Sequence, residues 1–137
     1  VKLLVVGKGK PLHSRSGNVI FAGSMSNVED AYAAADLIVF LPIYEPSSNV
    51  VYEALAAGLP VVTSTYNGAS ELIEPDVNGT VIDLSNVDFP LKVFESLARW
   101  ERRTSVNPTV DNAAVSLDRN VSETLAILEM AAKERNA

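Results

Sequence analysis

The chain has 137 residues, 47% of them apolar, and a net charge of −6. That length suits one domain with a sizeable core, and the acidity disfavours a nucleic-acid partner, whose phosphates call for a basic surface. With no cysteine, disulfides and thiolate metal sites are excluded, and every apolar run is far shorter than the roughly 20 residues of a membrane span.

Residues 2–6 read as a short apolar strand ending in Gly7-Lys8-Gly9. A lone Gly-x-Gly followed by Lys10-Pro11 departs from the Rossmann pattern and predicts a tight turn. The polar stretch 10–17 holds the single histidine, His13, beside Arg15, and both are expected in solvent. A second strand covers 18–21 and is ended by Gly23. Ser26 with Glu29 three positions on has the spacing of a capping box, opening a short helix over 27–35 with Val28, Ala31, Tyr32 and Ala35 at helical spacing.

A buried strand at 37–41, a helix at 49–57 stopped by Gly58 and a second buried strand at 60–63 then form one βαβ unit. Asn67-Gly68 and Asn78-Gly79 predict turns around 69–75, and a short strand follows at 80–83. Asn78-Gly-Thr80 and Asn120-Val-Ser122 match the glycosylation triplet but read as a surface turn and part of a helix. Pro90 opens a helix running to about residue 103, with Leu91, Phe94, Leu97 and Ala98 on one face. Its Lys92, Arg99, Arg102 and Arg103, interspersed with Glu95, Trp100 and Glu101, read as a solvated face. The segment 104–112 is a loop. A final helix at 119–132 carries Val121, Leu125, Leu128 and Met130 mostly along one stripe. Strands alternating with helices predict an α/β fold, a doubly wound parallel sheet. All of 1–137 reads as one partial domain, with a βαβ core at 1–83 and C-terminal helices at 84–137. No signal-peptide pattern opens the chain, so a soluble, cytoplasmic protein is expected.

The loop between residues 41 and 49 lies at the carboxyl end of its strand, where open parallel sheets bind ligands. It holds Glu45, Ser47 and Ser48, and Asn49 starts the helix. The first N–H groups of a helix lack partners and carry partial positive charge, so they attract phosphate. Asn49, Val50, Val51 and Tyr52 put no acid there to repel it. Ser47 or Ser48 could equally cap the helix, and the two roles are compatible. Glu53 has Val50 and Ala57 three and four positions away and Ala54 beside it, which predicts a place at the rim of the buried stripe; the plain alternative is a solvated helix residue. A glycosidase pair, with carboxyl groups about 5–10 Å apart, would leave the anion-friendly helix start without a use. No spacing of histidines and carboxylates predicts a metal site.

Three pieces together resemble the donor-binding half of retaining glycosyltransferases of the GT-B fold: Ala34-Ala-Asp36, Glu45-x7-Glu53-Ala-Leu-Ala-Ala-Gly58-Leu-Pro-Val-Val62, and Asn67-Gly68-Ala-Ser-Glu71. The likeness is greatest to enzymes that build lipopolysaccharide and other surface glycans, and runs from residue 2 to about 83. It implies a Rossmann-like C-terminal domain lacking its first strand and helix, with the N-terminal acceptor domain outside this chain. It implies a nucleotide-sugar as substrate, a UDP- or GDP-sugar, and no separate cofactor or metal. Glu53 would hold the donor ribose, and Glu45, the catalytic candidate, the transferred sugar. Backbone at Ser47, Ser48, Asn49 and Val50 would meet the diphosphate, and the loop holding Gly23 and Met25 would lie near the base. Ser48 stands where many members have Gly. The resemblance further implies a cytoplasmic enzyme that could touch the inner face of a membrane in its full-length form. These residues alone are expected to transfer no sugar. A non-catalytic nucleotide-sugar-binding module and a nucleotide-sugar epimerase are the alternatives.

Overall fold

The computed structural model describes residues 1–10, 14, 16–101 and 116–135. His13, Arg15, Arg102, Arg103 and the expected loop at 104–112 lie outside the described residues. Two compact units divide the chain, Val1–Ala35 and Asp36–Ala137.

In the first unit, β1 (Leu3–Val6) and β2 (Val19–Gly23) pair in parallel, Leu3 opposite Val19 and Val5 opposite Phe21, with an irregularity between Val5 and Val6. The helix α1 (Glu29–Ala33) buries Ala31 and Tyr32. The expected capping box does not form. Val28 occupies the N-cap position without a side-chain bond, so Ser26 stands two residues too early to reach the orphan N–H groups of the first turn.

The second unit contains β3 (Ile38–Phe40), α2 (Asn49–Ala56), β4 (Val61–Ser64), a 3-10 helix Gly68–Leu72, β5 (Gly79–Ile82), α3 (Phe89–Glu101) and α4 (Leu117–Arg135). Its sheet has the order β3-β4-β5, all parallel, with Ile38 opposite Val61 and Val61 opposite Gly79. Every residue of β4 is buried, as its unbroken apolar start suggests for a middle strand covered on both faces. The α/β architecture is the one expected, its strands distributed over one two-stranded and one three-stranded parallel sheet. The helix α2 packs against β3 and β4. It stops at Gly58, whose φ of 78° is the left-handed conformation glycine adopts without a Cβ clash. The N–H groups of Gly58 and Leu59 then donate to the carbonyls of Leu55 (3.0 Å) and Ala54 (2.9 Å), closing the helix end.

A core of Val62, Ile82 and Trp100, flanked by Leu37, Leu41, Leu84, Phe89 and Val93, joins α3 to the sheet. The inward face of α3 is not the one expected. Leu91 and Phe94 are 59% and 67% exposed, and Ala98 is exposed too, whereas Ser96 and Trp100 are buried. Both stripes have helical spacing. The buried one contains the indole, whose Nε1 donates to Thr80 Oγ1 on β5 (3.2 Å), meeting the polar need of a buried tryptophan. The cations of α3 are solvent-accessible and paired: Lys92 with Asp88 at 3.6 Å and Arg99 with Asp76. Asn78, expected at the surface, is buried. Its side-chain oxygen accepts from the Glu74 N–H (2.8 Å) and its amide donates to the Leu72 carbonyl (3.0 Å), so it braces the turn from inside. Asn120 and Ser122 lie within α4 as expected, and α4 buries none of its residues.

Candidate functional site

The chain leaves β3 at Phe40 and enters α2 at Asn49, so the loop lies beyond the carboxyl end of β3, next to the carboxyl end of β4. Two elements hold it from below. Ser64, the last residue of β4, donates its hydroxyl to the Pro42 carbonyl (2.5 Å). Glu45 then forms a single parallel bridge with Asn67: its N–H donates to the Tyr66 carbonyl (3.0 Å), and its own carbonyl accepts from the Gly68 N–H (2.8 Å). The backbone of the loop is thereby fixed, and Glu45 as a whole residue is half-buried. Its Oε1 accepts from the Ser47 N–H at 3.3 Å, a weak contact that a ligand hydroxyl could replace.

Ser48 is buried at the N-cap position and has extended backbone, yet makes no side-chain cap bond. The serine-capping reading is thus not what this helix start uses. Val51 and Tyr52 donate their N–H groups to the Ser48 carbonyl (3.1 and 3.4 Å), which leaves the N–H groups of Asn49 and Val50 ahead of them at the open mouth of α2. No acidic residue lies in this first turn. Ser47, Asn49 and Val50 are all exposed around it. An eight-residue helix with an uncapped, uncrowded amino end is a fitting seat for an anion.

Glu53 stands differently from the spacing argument. The buried stripe of α2 is Val51, Ala54 and Leu55, which shares only Ala54 with the one expected. Val50 and Ala57 are exposed, and Glu53 with them. Glu53 therefore lies on the solvent-facing side of α2, on the same face as Val50 and one turn further along. Glu45, Ser47, Asn49, Val50 and Glu53 thus lie along one loop and helix of the second unit, with Ser48 buried between them. Gly23 and Met25 belong to the first unit, where Gly23 closes β2 with a φ of 69° and its carbonyl accepts from the Gly7 N–H (2.8 Å), while Met25 is half-buried.

Sequence reasoning missed Ser64 and the way Asn67 and Gly68 grip the loop. The Asn67-Gly68 pair was a turn signal, and a turn next to the carboxyl end of a strand was the clue available. An open cavity of about 510 Å³ lies between β5 and α3, lined by Thr80, Val81, Ile82, Lys92, Ser96 and Arg99 among others. It includes no candidate residue. Among the described residues, no cluster of three or more acidic or histidine side chains could hold a metal ion, and no helix is long and apolar enough to cross a membrane.

Comparison with known proteins bears on this geometry. The family model described as Glycosyl transferases group 1 matches residues 1–98. The lipopolysaccharide glucosyltransferase WaaG of Escherichia coli (strain K12) is 38% identical over 88 residues, 58% of this chain and 24% of the relative. A GDP-mannose-dependent alpha-mannosyltransferase of Mycobacterium tuberculosis is 33% identical over 96 residues, 66% of this chain and 25% of the relative. The crystal structure of Anabaena Alr3699/HepE in complex with UDP superposes on 80% of this chain and 32% of its own, at a TM-score of 0.63 and 26% identity. The chain spans about a quarter of the length of these two sequence relatives. With more than half of its residues matched by the family model and a structure that follows GT-B enzymes, this chain belongs to the group 1 glycosyl transferases and forms part of their GT-B fold.

Proposed function

We propose that this chain is the donor-binding half of a retaining glycosyltransferase, which moves a sugar from a UDP- or GDP-sugar to a glycan or lipopolysaccharide acceptor held on another domain. The observation that carries the reading is the uncapped amino end of α2 set beside the anchored Glu45 loop. The relatives support it from their side: one is described as using GDP-mannose, one as a lipopolysaccharide glucosyltransferase, and HepE as binding UDP.

The donor diphosphate sits against the N–H groups of Asn49 and Val50, where the helix dipole favours negative charge. Glu53, one turn along the same exposed face, accepts the ribose hydroxyls. Glu45 accepts hydroxyls of the transferred sugar. When the bond between the anomeric carbon and the diphosphate breaks, negative charge grows on the leaving phosphate. The helix start is already oriented to stabilise that charge, without reorganising as it develops. The acceptor hydroxyl attacks from the face the diphosphate leaves and passes its proton to the departing phosphate, so the configuration is retained without an enzyme nucleophile. Positioning therefore does most of the work. The acceptor belongs to another domain, so these 137 residues bind donor without transferring sugar.

Calorimetric titration of the full-length protein with UDP, GDP, UDP-glucose and GDP-mannose tests this reading. A hydrogen bond to a charged group contributes roughly 1.5–3 kcal/mol, so Glu53→Gln is expected to raise the Kd of the preferred nucleotide about ten- to a hundredfold. Glu45→Gln leaves free nucleotide binding unchanged and lowers turnover, since its contact is to the part of the donor that changes in the transition state. If a folded protein binds none of the four ligands, or both variants bind and turn over like the parent, the assignment is wrong.

A further inference from the structure

The backbone of the Glu45 loop is gripped by residues 66–68, and we infer that the Asn67-Gly68 corner is a positioning device that sets the reach of the Glu45 carboxylate. This rests on the proposed contact between Glu45 and the transferred sugar. Asn67 is 1% exposed and uses both ends of its carboxamide: Nδ2 donates to Thr63 Oγ1 (3.0 Å) and Oδ1 accepts from the Ala69 N–H (3.1 Å). The corner is thereby tied to β4, the fully buried middle strand of its sheet. From that fixed base, the Gly68 N–H and the Tyr66 carbonyl clasp both backbone groups of Glu45 at 2.8 and 3.0 Å.

Gly68 matters for a second reason. A Cβ at this position would overlap the Pro46 carbonyl oxygen and lie 2.9 Å from its carbonyl carbon. Those are backbone atoms, which cannot swing aside as the tip of a side chain can. Any side chain at 68 therefore pushes residues 45 and 46 off the corner, and the Glu45 carboxylate moves with its backbone. Ser64, bonded to the Pro42 carbonyl at 2.5 Å, holds the other end of the same loop. The α2 start is not part of this clasp: Ser48 is buried separately and begins the helix. Displacing the corner should thus uncouple sugar recognition from diphosphate binding.

The test compares two affinities in the full-length protein, UDP against UDP-glucose and GDP against GDP-mannose, using whichever pair binds. The readout is the sugar advantage, the Kd of free nucleotide divided by that of the nucleotide-sugar. Gly68→Ala is expected to cut this advantage about tenfold, the size of one lost charge-assisted hydrogen bond, with the free-nucleotide Kd unchanged. Glu45→Gln serves as the reference and should give the same loss, and Gly68→Ala added to Glu45→Gln should lose nothing more. If Glu45→Gln loses the advantage while Gly68→Ala keeps it, or if Gly68→Ala weakens both ligands equally, the positioning role is overturned and the proposed function stands. If Glu45→Gln itself keeps the advantage, the sugar-binding role of Glu45 falls, and this inference with it. Should Gly68→Ala fail to fold, Thr63→Val, which removes the hydroxyl that ties Asn67 to β4, decides by the same comparison.

Discussion

Asp83 shows how one side chain ties local structure to pH. Its Oδ1 accepts from both the Ser85 N–H (2.9 Å) and the Ser85 hydroxyl (2.7 Å), forming the turn that leads from β5 towards α3. These bonds, the hydroxyl first and the backbone second, hold the Asp83 carboxyl below the usual aspartate range. A carboxylate with a lowered folded-state pKa stabilises the fold at pH above its unfolded value. That contribution disappears as the pH falls through the lowered folded value. Replacing Ser85 with Ala should therefore cost stability at neutral pH and cost less as acid is added. Urea denaturation at stepped pH measures this, and a gap between parent and Ser85→Ala that ignores pH would contradict it. At the same scale, Glu45 and Glu53 were legible because charged residues at fixed spacing around a strand-loop-helix stand out in one dimension. The partners of Glu45 were not. Tyr66, Asn67 and Gly68 lie 21 to 23 positions further on, and only the parallel pairing of β3 with β4 brings their backbone to the loop.

Among the elements, α2 shows what punctuation residues can determine. Its start follows Pro46-Ser47-Ser48 and its stop is Gly58 at a φ of 78°, so both ends were readable within a residue. Gly58→Ala is expected to destabilise the fold by roughly 1–2 kcal/mol, because a Cβ meets the following carbonyl in the left-handed conformation. Chemical denaturation checks it, and stability equal to the parent would show that the helix end relaxes into another turn. Which face of a helix is buried was less legible than where the helix lies. In α2 the inward stripe is Val51, Ala54 and Leu55, and in α3 Phe89, Val93, Ser96 and Trp100. Each helix carries apolar residues on more than one line, so periodicity admits two solutions. Contact with the sheet chooses between them, as when the Trp100 indole meets Thr80.

At the scale of the whole molecule, the exposed apolar surface is the main physical fact. Leu3, Leu4, Val5 and Val6 are each 37% to 52% exposed, so β1 is open on both faces, and Val121, Leu125, Ile127, Leu128 and Met130 of α4 are 47% to 67% exposed. Contiguous apolar surface and open strand edges drive association. The isolated 137-residue chain is therefore expected to self-associate, with a sedimentation coefficient that rises with concentration. A monomer at every concentration would overturn this. Some of the molecule was determined by sequence alone. The alternation of apolar runs with helical periods set the α/β class, and Gly58 and the turn pairs set element boundaries, because each of these signals acts between neighbours along the chain. Tertiary structure alone decided that Asn78 turns inward, that the start of α2 is left uncapped, that Glu53 faces solvent, and that the corner at Asn67-Gly68 holds Glu45. Those outcomes depend on which distant backbone groups need partners once the strands have paired, and a linear pattern carries no record of that competition.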